Sequence, residues 1–134
     1  LINSIAPPVN DNIMETIFLV SNLKRSNAKN IILVIPYFGY SKKSDSDEES
    51  NFPLCASIII KLFEKMGVNQ IITMNLSSKH ITGYSQNIPI IDLDMSALGV
   101  GYYKEKLNSN KMSKDIVIIS PHVKSIPKAK KFQE

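Results

Sequence analysis

Hydrophobic residues recur along this chain in two rhythms, and the alternation between them predicts its architecture. Met14, Ile17, Phe18, Val20 and Leu23 fall at helical spacing and predict a helix ending near Arg25. Asn10 to Asn12 offer several N-cap candidates, and with Asn12 as the cap Glu15 falls three residues later, where a capping box wants it. Lys24 and Arg25 suit the negative end of the helix dipole. The next apolar run, 31–35 (IILVI), is contiguous and β-branched, the pattern of a parallel strand buried on both faces. Helical spacing returns over 53–65, with Pro53 in the first turn and Ile58, Ile59, Leu62 and Phe63 facing inward. Gly67 is placed to end that helix. A second buried strand follows over 70–74 and a weaker one over 88–91. A helix from Ser96 to about Leu107 carries Gly99 and Gly101, a third strong strand spans 115–120, and a last helix starts at about Pro127.

The predicted order is α-β-α-β-β-α-β-α. Strands alternating with helices of this length imply an α/β fold, a parallel sheet flanked by helices on both faces. Ligands of such sheets bind beyond the carboxyl ends of the strands, and two segments lie there. One is the long polar stretch 36–52, with SKKSDSDEES at its heart, whose length points to a functional or mobile loop. The other is 73–89, TMNLSSKHITGYSQNIP. A carboxylate and a histidine would be expected at its start to hold a metal or phosphate. Asn75, Leu76, Ser77 and Ser78 stand there instead.

Composition narrows the picture. A chain of 134 residues, 43% hydrophobic, suffices for one globular domain with a core. It starts at Leu1 rather than Met, and its first readable element is a helix, which predicts a piece of a longer protein. No apolar run reaches membrane-spanning length. The single cysteine, Cys55, excludes an internal disulfide framework, fits a reducing, cytoplasmic setting, and is expected as a semi-buried structural thiol. The net charge of +4 is mildly basic, with one lysine cluster at Lys124, Lys128, Lys130 and Lys131. Nucleic-acid binding would want aromatics interleaved with that cluster. Tyr102 and Tyr103 lie elsewhere, and one of the two rings is expected in the core. His80 and His122 both follow predicted strands, but two histidines without a cysteine or paired carboxylates form a thin ligand set.

Three segments together resemble ribose-phosphate pyrophosphokinase, the phosphoribosyl pyrophosphate synthetase family: PPVNDNIMETIFLVSNLKRSNAKNIILVIPYFGY (7–40), IITMNLSSKHITGYSQNIPI (71–90) and VIISPHVKSIPKAKKF (117–132). The resemblance implies a phosphoribosyltransferase-like domain, most of the N-terminal half of a two-domain protein whose C-terminal domain is absent here. It implies an activity, pyrophosphate transfer from Mg-ATP to ribose 5-phosphate, and an oligomer in which a loop after the first strand grips ATP. In that loop Tyr40 is kept, and Lys42 and Lys43 are the positions that the resemblance assigns to ATP. A lysine lacks the planar fork of the arginine expected at 42. Asp45, Asp47, Glu48 and Glu49, which follow, would repel a triphosphate.

The family's metal-holding Asp-Leu-His falls on Asn75-Leu76-Ser77, whose neutral side chains supply no charge for a hard cation. A further family aspartate falls on Gln86 or Asn87, and Asp92 lies at or one place beyond the next one. Ser-Pro-Asp becomes Ser120-Pro121-His122, and a glycine pair becomes Lys124-Ser125, so that turn must take another shape. Packing residues are kept while polar chemistry is lost. Three readings follow: a family synthetase chain with a degenerate ATP and metal site, a non-catalytic regulatory or structural subunit beside an active synthetase, and an anion- or nucleic-acid-binding module using the lysine-rich end.

Overall fold

The computed structural model describes residues 1–41, 55–109 and 116–132. It is a mixed α/β structure that divides into two compact units, Leu1–Leu93 and Asp94–Glu134. In the first unit, α1 (Val9–Arg25), β1 (Ile32–Ile35), α2 (Cys55–Lys65), β2 (Gln70–Met74) and β3 (Ile90–Leu93) follow in order, with a short 3-10 helix Lys79–Gly83 between β2 and β3. The three strands form one parallel sheet in the order β1-β2-β3. Leu33 pairs with Ile71 and Ile35 with Thr73, and on the other side Ile71 pairs with Ile90 and Thr73 with Asp92.

Side chains of a strand alternate between the two faces of its sheet. Leu33, Ile35, Ile71 and Thr73 are fully buried on one face, while Ile32, Ile91 and Leu93 of the alternate set are 39–44% exposed. The buried face packs against Ile5, Val20, Ala56, Ile59, Ile60, Phe63 and Ile81.

A helix is the first element, as expected, but the residues before it pair with β1 through an isolated bridge. Ile2 bridges Val34 in parallel, the Val34 amide donates to Leu1 O at 2.8 Å, and Asn3 N donates to Val34 O at 3.0 Å. The first residues thus run along the free edge of β1. α1 begins at Val9 rather than after Asn12, with Pro8 extended before it and no side-chain cap. Asn12 lies inside the helix and donates its amide to Ala6 O at 2.7 Å, and Glu15 accepts from Asn3 instead of closing a capping box. Pro8 has no N–H to satisfy and a φ already helical, so the helix starts as soon as the prolines end. Of α1 only Thr16 and Val20 are buried; Met14 and Phe18 point outward.

On α2 the buried stripe is Ala56, Ile59, Ile60 and Phe63, and Ile58 and Leu62, expected inside, are 59% and 40% exposed. An isoleucine triplet leaves the stripe ambiguous by one position, and the 100° step per residue resolves it. Gly67 ends α2 as expected, at φ +89. The Val68 amide donates to Phe63 O and the Gly67 amide to Glu64 O, the two bonds of a Schellman closure. α1 closes the same way with Asn27 at φ +57, Ala28 bonding to Leu23 O and Asn27 to Lys24 O. Asn69 then locks β2 against β1, its Oδ1 accepting from Ile31 N and its amide donating to Ile31 O, both at 2.8 Å.

In the second unit α3 (Ser96–Asn108) matches expectation within a residue, and α4 (Ile126–Lys130) follows a 3-10 turn, Val123–Ser125. Gly99 lets the Phe132 ring approach closely, since a Cβ there would lie 2.9 Å from the ring tip and displace it. The expected third buried strand is not found. Asp115 lies outside the described residues, and 116–120 belong to no strand. Val117 and Ile119 are 82% and 80% exposed. A β-branched run signals a preference for burial in a sheet, yet a strand exists only beside a hydrogen-bonded neighbour, and none lies beside this run among the described residues. Neither Tyr102 nor Tyr103 enters a core; the rings meet edge to face at 5.4 Å and both are exposed.

Candidate functional site at the sheet rim

The carboxyl ends of β1, β2 and β3 form the rim where an α/β sheet places a ligand. After β1 the chain turns tightly at Gly39, where a Cβ would lie 2.5 Å from Ile5 O, so only glycine fits. Tyr40 follows at φ +64, and its hydroxyl donates to Asn10 Oδ1 at 2.7 Å. Lys42, Lys43 and the acidic residues Asp45, Asp47, Glu48 and Glu49 lie outside the described residues.

After β2, Asn75 turns the chain with a left-handed φ of +50. Its side chain and that of Ser77 are exposed, while Leu76 packs against the core. Ser78 is buried and caps the 3-10 helix, its Oγ accepting from His80 N at 3.4 Å. Ile81 anchors that helix in the core at 0% exposure. Leu76 and Ile81 therefore fix the rim, and Asn75 and Ser77 are what it shows to solvent.

β3 supplies the feature that the sequence pattern missed. It starts at Ile90, two residues later than expected, because Pro89 has no amide for the ladder and instead accepts from Ile71 N at 3.0 Å. The loop before it is tied to α2: the Glu64 carboxylate accepts from Ser85 Oγ at 3.0 Å and from the Asn87 amide. These bonds hold the Glu64 carboxyl below its ordinary range, Asn87 contributing most and Ser85 next. The register so fixed sets Asp92 beside Thr73. Asp92 Oδ1 accepts the Leu76 amide at 3.0 Å, and Asn75 N extends the ladder to Leu93 O at 3.1 Å. The Thr73 hydroxyl, fully buried at that same register position, has no hydrogen-bond partner among the described residues.

Magnesium wants several oxygen ligands, at least one of them a carboxylate. Among the described residues no group of three potential His, Cys, Asp or Glu ligands exists. Among the described residues of the rim, the carboxylate beside the 75–78 turn, Asp92, is hydrogen-bonded to backbone, and Asn75 and Ser77 are neutral. The described residues of the rim are a donor set that does not by itself fit the ion.

The second unit carries the third motif. Ser120 Oγ donates to His122 O at 2.8 Å, Ser125 Oγ lies 2.8 Å from Ser120 Oγ, and His122 Nδ1 is 3.1 Å from Ser125 Oγ. This hydroxyl network shapes the turn. Lys131, from the lysine-rich end, is paired with Asp94. That contact and the Ser96 hydrogen bonds hold the Asp94 carboxyl well below the usual carboxylate range. His80 and His122 belong to different units, and neither joins a ligand cluster among the described residues. No helix of the described residues is long and apolar enough to cross a membrane.

A family model, the N-terminal domain of ribose phosphate pyrophosphokinase, matches residues 1–67. The chain belongs to the ribose-phosphate pyrophosphokinase family. Ribose-phosphate pyrophosphokinase B of Dictyostelium discoideum is 34% identical over 128 residues, covering 96% of this chain and 38% of the relative. Ribose-phosphate pyrophosphokinase of Clostridium perfringens is 34% identical over 134 residues, 100% of this chain and 41% of its own length. The crystal structure of phosphoribosylpyrophosphate synthetase from Mycobacterium smegmatis superposes with a TM-score of 0.80 at 25% identity, over 98% of this chain and 42% of that one. The chain thus spans about two fifths of the length of the relatives it matches.

Proposed function

We propose that this chain is a catalytically silenced member of the ribose-phosphate pyrophosphokinase family, a regulatory or structural subunit that accompanies an active synthetase in a cytoplasmic oligomer. The active partner transfers pyrophosphate from Mg-ATP to ribose 5-phosphate; this chain keeps the frame and does not perform the transfer. The observation that carries the reading is the state of the rim. Asn75 and Ser77 face solvent with no charge to offer, and Asp92, the carboxylate beside them, is engaged by the Leu76 amide. Phosphoryl chemistry without a metal at its phosphates lacks the charge neutralisation on which the transition state depends.

The reading includes a longer parent protein. Residues 116–119 make no hydrogen bond among the described residues and expose apolar side chains of both parities, the state of a strand without its sheet. The same chain forms an apolar hollow of about 910 Å³ whose lining includes Tyr103, Leu107, Ile116, Ile118 and Phe132. A further α/β domain would supply strands for the one and cover for the other.

The test has two arms. The purified protein, alone and mixed with an active family synthetase, is assayed for ATP- and magnesium-dependent phosphoribosyl pyrophosphate formation. No turnover alone and altered activity or co-migration in the mixture support the reading; turnover alone at the level of an active member overturns it. In the second arm, Asn75→Asp with Ser77→His restores the family's ligand types, aspartate being among the residues that accept the left-handed φ at 75. Calorimetry should show magnesium binding in the double variant and none in the parent.

A further inference from the structure

We infer that Asp92 is the positioning residue of the rim, and that its carboxylate holds the 75–78 turn by a hydrogen bond in a place where the residues present do not fit a metal ion. Three independent features meet there. Asn75 adopts a left-handed conformation at φ +50, a region that asparagine enters more readily than most residues other than glycine, so the chain can turn sharply straight after β2. The next amide, Leu76 N–H, points across the sheet to Asp92 Oδ1 at 3.0 Å, a bond between neighbouring strand ends 16 residues apart. The Asp92 position is itself imposed, because Pro89 and the Glu64 contacts with Ser85 and Asn87 set where β3 begins and bring Asp92 level with Thr73.

A hydrogen bond from an amide to an ionised carboxylate is stronger than one to a neutral acceptor. It joins the ends of β2 and β3 without any ion. Asn75 and Ser77 are exposed and uncharged, and the bond that sets the turn behind them needs no cation. The rim is preorganised by its own carboxylate, and a nucleotide or phosphate bound there would meet a turn whose shape does not depend on magnesium. This holds whether or not the protein proves catalytic.

Amide hydrogen exchange followed by NMR on the whole chain tests it, with Asp92→Asn and Asp92→Ala as the variants. In Asp92→Ala the Leu76 amide should lose about tenfold or more of its protection, while Ile71 and Ile72 in the middle of β2 keep theirs. Asp92→Asn retains an acceptor oxygen and should restore most of the protection, a rescue that a packing role alone would not give. Adding magnesium or a chelator should leave Leu76 protection in the parent unchanged. The inference is overturned by equal Leu76 protection in Asp92→Ala and the parent, by a loss spread evenly over β2, or by protection that rises with magnesium. An inactive enzyme assay has no bearing on these outcomes, so failure of the functional reading and failure of this one are separable.

Discussion

Thr73→Val is the sharpest test of the packing described for β2. Thr73 is 0% exposed, its register neighbours are Ile35 and Asp92, and its hydroxyl has no partner. Burying an unpaired hydroxyl costs about 1–3 kcal/mol. Valine has nearly the same shape and an equal or better preference for a strand, so the substitution should return about 1–2 kcal/mol of stability, the lower part of that range. For a unit of this size that is roughly 4 °C or more in melting temperature. Thr16 supplies the control. It is also 0% exposed, but its hydroxyl donates to Asn12 O at 2.7 Å and accepts from Asn3 at 2.9 Å. Thr16→Val should therefore destabilise, by about 1–2 kcal/mol. The chain has no tryptophan, so urea unfolding is followed by far-ultraviolet circular dichroism. Opposite signs for the two variants are expected. If both destabilise, the Thr73 hydroxyl has a partner in solution and the reasoning fails.

Two further outcomes follow from the same geometry. Gly67→Ala should cost about 1 kcal/mol or more, because φ +89 is unfavourable to a side chain, whereas Asn27→Gly at the equivalent turn of α1 should be neutral or slightly stabilising; chemical denaturation of both variants checks the pair. The Glu64 carboxyl is held below its ordinary value by Asn87 and Ser85, so its contribution to stability is full above the unfolded value and disappears as pH falls through the folded one. Glu64→Gln should remove that part of the acid-side slope, and an unchanged slope in stability measured from neutral into acid pH would show that the loop tie is not formed.

β1 and β2 were legible as strands because contiguous β-branched runs state their type, although β1 buries one face rather than the expected two, with Ile32 exposed, and Gly67 was legible because a glycine after a helical stripe has one common use. The face of α2 was not, since three consecutive isoleucines leave its phase open. The run 116–119 misled for the opposite reason: its composition reports how it prefers to be buried, and the neighbour that would bury it is supplied from elsewhere in a fold.

At the site, the end of a strand alone places Asn75 and Ser77 at the rim, whereas no local pattern states the task of Asp92. Sheet side chains alternate with a period of two, so moving β3 by two residues leaves every residue on the same face and leaves the hydrophobic pattern unchanged. Had Ile88 rather than Ile90 stood opposite Ile71, Asp92 would lie beside Asn75, about 6.6 Å further along the strand, with its carboxylate beyond the Leu76 amide. What distinguishes the two registers is the missing N–H of Pro89 and the grip of Glu64 on Ser85 and Asn87, contacts from α2 that no local pattern encodes. The residues at the lip decide what chemistry this rim can offer, while the place of Asp92 behind them depends on contacts of a neighbouring helix with the loop before β3.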